Sequence, residues 1–527
     1  MKLELPFEVL FVCHTLQKNG YDAYLVGGAI RDLILQATDS YYHQHLAITD
    51  YDFTTNAKPE EIMKIFPESF YENNFGTVSI THEDLLALLT PTNQLPKKNL
   101  ADLAKNKTTK KTIIDLAKAK KIHESLATNE PTLPSAEKKV KPFEITTYRT
   151  DGTYQDHRRP DNVTWGKTIE EDLDRRDFTI NAMAIKINQE YLTTIFKQKT
   201  LTTNYLLAVK DFELVDPHEG IKDLAQGIIE AVGDPNLRFK EDALRMLRAI
   251  RFSVQLGIDI GNNTLKALKQ HALLIQHVSW ERIRDEFLKM LASNNPQKAI
   301  LLLEETKILE LVLPELLLMK DVKQGGHHTT DVWVHSLDAL ANCPSSDPIV
   351  RLATLIHDIG KPLTFNEKDG NITFYNHEIV GSRVAAKLAK RFKLSKLDSQ
   401  RLFTLVRYHM FHYQEHNTDA SIRRFMRKVG LENIDDILDL REGDRLGSGA
   451  KKTSWRLEEM KLRMIEQLNQ PMDVKDLAIN GHDLMDKLGL KPGKQLGIIL
   501  QTLFEEVLDN PAINTKETLL EKAQKLL

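Results

Sequence analysis

The chain has 527 residues, 41% hydrophobic and 28% charged, with a formal net charge of −3. That length exceeds what one hydrophobic core usually serves and predicts several domains, and the composition excludes a globally disordered chain. No run of about 18 apolar residues is available to span a membrane, and the amino terminus lacks the basic and long apolar stretches of a secretory signal. The first 85 residues alternate between helix and strand: a helix over 6–18, a strand over 23–26, a Gly27-Gly28 turn into a helix near Ala29, then strands over 46–52 and 76–80. Residues 97–141 hold 12 lysines against 5 acids, a net of +7, with prolines at 91, 96, 131 and 134 bracketing the segment. Residues 86–141 therefore read as a Lys-rich insertion in a sheet domain, either a solvated linker or a basic arm for RNA phosphates. Strands resume over 143–149 and 163–165, followed by a helix starting near Asp177. From Asp216 the pattern is almost wholly helical: helices over 221–231, 242–256, 263–272, 283–292 and 296–306, a second block from Asp331 to about Arg445, and a helical segment over 473–527.

Leu25-Val26-Gly27-Gly28-Ala29-Ile30-Arg31-Asp32 places two glycines between a strand and a helix, where backbone amides can approach an anion without Cβ interference. Alone, such a pair is often only a turn. Asp50 and Asp52 follow in Thr49-Asp50-Tyr51-Asp52-Phe53. On a strand, residues i and i+2 share a face, so the two carboxylates would converge and repel unless a cation lies between them. Oxygen-only ligands suit Mg²⁺, which completes its shell with water and substrate phosphates. The alternative is a strand end with two solvated acids; with the glycine turn upstream, the balance favours phosphoryl transfer.

Two later motifs extend the cluster. Arg175-Arg176 offers fork-like hydrogen bonds to a triphosphate, and Asp177 and Asn181, at i and i+4, would share a helix face toward a ribose hydroxyl unless Asp177 only caps the helix. In Glu241-Asp242-Ala243-Leu244-Arg245, Asp242 and Arg245 sit three apart, with Arg248 and Arg251 following on the same side. An intrahelical salt bridge accounts for the first pair structurally. A base-reading role accounts for it chemically. Cytosine and adenine both present an amino donor beside a ring-nitrogen acceptor, which a carboxylate and a guanidinium match. Guanine and uracil reverse that pattern, at about 1–3 kcal/mol per unmet buried group. One side-chain pair would thus admit CTP and ATP without a template.

With GGxxRD, DxD, RRDFTINA and EDxxR present in order, the stretch from Gly27 to Leu256 resembles the class II tRNA nucleotidyltransferase and bacterial poly(A) polymerase family. The resemblance implies an α+β polymerase-β-like nucleotidyltransferase head followed by all-α neck, HD and tail domains. It makes Asp50 and Asp52 the metal-binding catalytic carboxylates, and Arg176, Arg248 and Arg251 triphosphate or ribose contacts. Gly28, Arg31, Asp177 and Asn181 join the nucleotide site, with Asp242 and Arg245 as base readers. The segments around Gly76-Thr77-Val78-Ser79-Ile80, Glu144-Ile145-Thr146-Thr147-Tyr148-Arg149 and 154–160 look more like CCA-adding enzymes than poly(A) polymerases.

Further on stand His335, His357-Asp358-Ile359-Gly360-Lys361, His377, His409 and Asp444. This ordered set resembles the HD phosphohydrolase superfamily. Imidazole and carboxylate together suit a transition metal or Mg²⁺ with a water nucleophile. By that resemblance His335, His357, Asp358 and Asp444 are the minimal ligand set for a second divalent metal, and His377 and His409 would extend it to two. His327, His328, His412 and His416 read as surface or supporting residues.

The expected domains are a head over 1–190, a helical neck and RNA-binding region over 191–320, an HD domain over 321–450 and a helical tail over 451–527. The expected activity is Mg²⁺-dependent addition of C, C and A to tRNA 3′ ends from CTP and ATP. The alternatives are poly(A) synthesis, partial (CC- or A-) addition, or an HD phosphohydrolase whose head only binds nucleotide. With a slightly acidic chain, tRNA must be held by local basic patches. The distant cysteines Cys13 and Cys343 suit a reducing cytoplasm. No membrane partner is expected, and the sequence carries no signal for the oligomeric state.

Overall fold

The computed structural model describes residues 2–38, 48, 50–71, 76–89, 142–151, 163–197, 202–325, 330–411, 413–414 and 416–527. The bulk of the Lys-rich insertion, the 154–160 segment, Thr49, His327, His328 and His412 lie outside them. The chain divides into two compact units, one of residues 1–279 with 305–308, the other of residues 280–304 with 309–527. Among the described residues no helix is long and apolar enough to cross a membrane.

The described strands of the first unit are β1 (Lys2–Pro6), β2 (Tyr24–Val26), β3 (Asp52–Thr55), β4 (Phe70–Tyr71), β5 (Thr77–Ile80), β6 (Phe143–Thr147), β7 (Arg149–Asp151), β8 (Val163–Trp165), β9 (Ala184–Ile187), β10 (Asn204–Ala208), β11 (Phe212–Val215), β12 (Ile228–Ile229) and β13 (Asp259–Ile260). Seven of them form one sheet in the order β11-β9-β2-β3-β6-β5-β4. All its neighbours are antiparallel except β3 and β6, which run parallel. Leu25, Phe53 and Ile145 align across three strands as one buried row. Tyr24, Val26 and Ala184 pack with Tyr148, Ile169 and Leu173, so the helix Ile169–Asp174 covers part of the sheet. Alternation along each strand thus divides its side chains between two buried faces.

Several elements differ from the sequence reading. Of the strand expected over 46–52, residues 46, 47 and 49 lie outside the described residues; among the described ones the strand begins at Asp52, where Phe53, Thr54 and Thr55 supply the buried β-favouring positions while Asp50 is exposed ahead of them. The helix expected near Asp177 is a single 3₁₀ turn, Thr179–Asn181, and the helix expected from Asp242 starts at Leu244. Strands β9, β10 and β11 were not anticipated, since their short polar-interrupted runs give little periodicity. A hairpin, Asn366–Lys368 with Asn371–Thr373, interrupts the second helical block around the Asp369-Gly370 turn.

In the second unit, helices Val332–Ala341, Pro348–Ile356, His377–Arg391, Lys396–Tyr408 and Ile434–Gly447 pack on one another. Glycines set two of the approaches. A Cβ on Gly443 or Gly447 would come within 2.7 or 2.6 Å of Ala339 backbone, and one on Gly360 within 2.1 Å of the His377 carbonyl. A separate cluster at the carboxyl end, centred on Leu484, Leu503, Phe504, Val507 and Leu519, forms its own buried core.

Candidate functional site

Gly27 ends β2 with a φ of +77°, and a Cβ there would stand 3.0 Å from Arg176 Nη1 and 3.6 Å from Asp52 Oδ2. Glycine leaves that cradle open, so a carboxylate and a guanidinium face one small space at the start of the helix Gly28–Thr38. Asp50 lies two residues ahead of Asp52, exposed to solvent. Glu144 is the register partner of Asp52 in the parallel β3–β6 ladder and shares its face, adding a third acid to this edge of the site. In the sequence Glu144 stands only within a family-like segment, with no site role; its signal is an acid inside an otherwise apolar and Thr-rich strand.

The two adjacent arginines have different duties. Arg175 donates from Nε and Nη2 to Asp172 Oδ1 at 3.0 and 2.6 Å, while Arg176 reaches Asp172 Oδ2 at 3.3 Å and keeps Nη1 at the Gly27 cradle. Burial raises the Asp172 pKa, but the two guanidiniums outweigh it and hold the carboxyl below its usual range.

Arg31, Asn181, Asp177, Arg248 and Arg251 come together around Phe252. Arg31 Nη1 donates to Asn181 Oδ1 at 2.8 Å, and Asn181 Nδ2 donates to Asp177 Oδ1 at 3.3 Å. Arg248 Nε donates to Asp177 Oδ2 at 2.6 Å. The guanidinium carbons of Arg31, Arg248 and Arg251 lie 5.2, 5.3 and 4.2 Å from the centre of the Phe252 ring. Desolvation pushes the buried Asp177 carboxyl up, yet Arg248 beside it brings its pKa down to about 2. Asp177 therefore organises the arginines, and its i, i+4 relation to Asn181 is achieved by the 3₁₀ turn.

Asp242 and Arg245 do not share a helix face. Asp242 is extended (φ −139°, ψ 104°), and its Oδ1 accepts from Leu244 N at 3.0 Å, capping the helix that carries Arg245. Arg245 Nη1 pairs with Glu241 Oε2 at 2.6 Å, and Nη2 donates to the Arg175 carbonyl at 2.9 Å. Arg238 Nη1 reaches the same Glu241 oxygen at 2.9 Å. Glu241, unmarked by the sequence reading, is thus the acid that holds Arg245.

The second unit carries a separate constellation. His335 Nε2 lies 3.2 Å from His357 Nε2, 3.2 Å from Asp444 Oδ1 and 3.5 Å from Asp358 Oδ2. His377 Nε2 lies 3.3 Å from both His409 Nε2 and Asp358 Oδ1. Two triplets, His335-His357-Asp358 and Asp358-His377-His409, each bring donor atoms within 4.8 Å of one another, all from buried residues. Asp358 belongs to both, one oxygen for each. The Nδ1 atoms of His357, His377 and His409 face the carbonyls of Thr354, Phe374 and Val406 at 2.7, 2.9 and 2.8 Å. A carbonyl only accepts, so each Nδ1 carries its proton and each Nε2 is turned inward as the atom that a cation would claim once its proton has left, the arrangement that orients metal-binding imidazoles. The imidazole and carboxylate donors of both triplets are of the kind that would hold a divalent cation.

Charge pairing holds the constellation together. Burial disfavours the His357 imidazolium, but Asp358 and Asp444 raise its pKa to about 10, and burial leaves His409 below its ordinary value. Asp358 is held well below the carboxylate range, against desolvation, by His357 and by Lys361, whose Nζ is 2.6 Å away. Lys361 also donates to Gln324 Oε1 at 2.6 Å, and Arg441 to Asp444 Oδ2 at 2.7 Å. His416 is exposed and apart from this cluster.

Comparison with known proteins agrees with the order of these parts. Residues 23–112 and 93–230 match the poly A polymerase head domain, 257–319 the probable RNA- and SrmB-binding site of polymerase A, and 373–523 the putative tRNA nucleotidyltransferase domain 2. The CCA-adding enzyme of Anoxybacillus flavithermus is 29% identical over 518 residues, covering 98% of this chain and 96% of that one. The A-adding tRNA nucleotidyltransferase of Deinococcus radiodurans is 32% identical over 360 residues, 66% of this chain and 76% of its own. Among solved structures, the Bacillus stearothermophilus CCA-adding enzyme in complex with CTP shares the fold, with a TM-score of 0.60 at 24% identity over 98% of this chain and 96% of that one. The chain belongs to the class II tRNA nucleotidyltransferase and poly(A) polymerase family.

Proposed function

We propose that this chain is a CCA-adding tRNA nucleotidyltransferase, which extends tRNA 3′ ends with C, C and A from CTP and ATP and without a nucleic-acid template. The observation that carries it is the Gly27 cradle, where Asp52 and Arg176 face one space that a single Cβ would fill. Relatives named as CCA-adding enzymes that match 98% or more of the chain support the same reading. Asp50 and Asp52, with Glu144 alongside, would hold Mg²⁺, which supplies charge neutralisation at the attacking hydroxyl and the triphosphate. Arg176 binds the phosphates, and Arg248 and Arg251, both over the Phe252 ring and the former braced by Asp177, bind the phosphate or ribose edge. Asp242 and Arg245 read the base, which requires Arg245 to exchange its Glu241 partner for the nucleotide. The tRNA acceptor end is recognised by shape and backbone charge, since every tRNA must be served, and a cytoplasmic location is in keeping with these reactants.

The test is incubation with tRNA lacking its 3′ end and each labelled nucleotide in turn, followed by sequencing of the products. Incorporation that ends after CCA is expected. Long A tails would instead make the chain a poly(A) polymerase, and C-only or A-only products a partial-adding enzyme.

A second activity, metal-dependent hydrolysis of phosphate esters at RNA ends, is favoured by the buried His335, His357, Asp358, His377 and His409 with the partly buried Asp444 beside them. Divalent metal held there would supply an activated water. Hydrolysis of 2′,3′-cyclic or 3′-phosphates that survives Asp52→Ala and disappears in Asp358→Ala is the expected result. No hydrolysis by the metal-loaded wild type would remove this reading and leave nucleotidyl transfer untouched.

A further inference from the structure

In the second unit a cavity of about 290 Å³ lies between the helices Ile434–Gly447 and Trp455–Gln467. Its lining combines three guanidiniums (Arg441, Arg445, Arg456) with three aromatic rings (Phe411, Tyr413, Trp455). Arg441 and Arg445 are one helical turn apart and so project from the same face. Phe411 and Tyr413 are buried walls, whereas Trp455 is 56% exposed at the rim. This volume is at the lower limit of small-molecule pockets, roughly 300–1,000 Å³, so a single small ligand fills it and any longer chain would leave past the exposed Trp455 rim.

Among the described residues, only Arg441 of the three guanidiniums is paired with an acid, Asp444. Arg445 is oriented by two neutral acceptors, the carbonyls of Lys451 and Thr453, at 3.1 and 3.3 Å. Arg456 lies 5.3 Å from the Trp455 ring centre and, among the described residues, has no carboxylate oxygen within 4.0 Å. Arg441 links the cavity to the histidine–aspartate cluster: it lines the cavity and donates to Asp444 Oδ2, while Asp444 Oδ1 faces His335 at 3.2 Å. A ligand anion on Arg441 would therefore be one carboxylate away from the cluster.

We propose that this cavity is a second nucleotide-binding site, taking one nucleotide with its phosphate on the three arginines and its base stacked at Trp455. Guanidinium forks match phosphate oxygens, and an exposed indole beside them offers the flat apolar surface a base requires. An acidic peptide would leave the rings unused, and a free phosphate would leave them bare. The bound phosphate faces the cluster, and this orientation alone rests on the phosphohydrolase reading. The nucleotide is either free or the last residue of an RNA chain.

The full chain is titrated with 3′-AMP, with a trinucleotide ending in a 3′-phosphate, with adenosine and with inorganic phosphate, following tryptophan fluorescence. Saturable quenching by 3′-AMP is expected in the wild type, with the corresponding amplitude lost in Trp455→Phe. Its midpoint should shift upward at least about tenfold in Arg456→Ala, one lost charge-assisted contact. Thermal melting checks that both variants fold. Tighter binding of the trinucleotide supports the RNA-end form, and equal binding supports the free nucleotide. Identical titrations in wild type and both variants, or inorganic phosphate saturating at the same concentration as 3′-AMP, would overturn the proposal. Binding that persists in a wild type devoid of hydrolysis would sink the phosphohydrolase reading while leaving this site standing.

Discussion

Arg248 Nε and Asp177 Oδ2 meet at 2.6 Å across 71 residues of sequence and, with the Arg245 bond to the Arg175 carbonyl, tie the helix Leu244–Leu256 to the arginine-rich turn that precedes β9. Asp177 has a folded pKa of about 2 against an ordinary 3.8, so its ionised form stabilises the fold above about pH 4, and that contribution is lost as pH falls through 2. Its size is on the order of 2 kcal/mol. Asp177→Asn is expected to lower the melting temperature at pH 7, with the gap to wild type closing between pH 4 and pH 2 in thermal melts. A pH-independent gap would contradict this.

Asp52→Ala removes the carboxylate that faces the Gly27 cradle. Incorporation of CMP and AMP into tRNA is expected to fall by at least about a thousandfold, the scale of losing a group that acts on the transition state. The circular dichroism spectrum should be unchanged, because Asp52 is only half-buried at a strand end. Asp50→Ala should behave alike; retained incorporation in either variant would refute the metal-binding role.

Selectivity should reside in Asp242. Asp242→Asn exchanges a pure acceptor for a group that both donates and accepts, so discrimination of CTP and ATP against UTP and GTP should weaken by about 1–3 kcal/mol, roughly ten- to a hundredfold in relative kcat/KM. Glu241→Gln frees Arg245 and Arg238 from their shared acid and should change KM for both nucleotides without relaxing that choice. Competition assays with all four nucleotides separate the two outcomes.

Asp358 offers one oxygen to each histidine pair. Asp358→Ala is expected to eliminate both bound equivalents of divalent metal, measured by elemental analysis after dialysis, whereas His377→Ala should remove only one. CMP incorporation should survive in both variants. Equal metal content in wild type and Asp358→Ala would exclude a bridged site.

Gly360 is the most crowded approach in that region, with a would-be Cβ 2.1 Å from the His377 carbonyl. Gly360→Ala should force the His357–Gly360 turn from the helix His377–Arg391 and lower the melting temperature by several degrees, a cost of about 1–3 kcal/mol for overpacking. Calorimetry of the purified chain checks it.

The local motifs announced themselves in the primary structure. Gly27-Gly28, Asp50, Asp52, Arg175-Arg176 and the His357-Asp358 pair stand in short patterns whose chemistry depends on residue type and spacing, so the head's nucleotidyl-transfer character could be read directly and the histidines and aspartates of the second cluster could be named. Pairings across long separations could not. That Arg248 belongs to Asp177, Arg245 to Glu241 rather than Asp242, Glu144 to the Asp52 edge, and Arg441 to Asp444 depends on strand register, on where a helix begins and on which helices approach closely. Gly360 illustrates the difference: in sequence it is one more turn residue, and only the packed fold shows that its missing Cβ lets Asp358 reach His377. Local patterns encode which chemical groups are available, while excluded volume and the pairing of buried charges choose their partners.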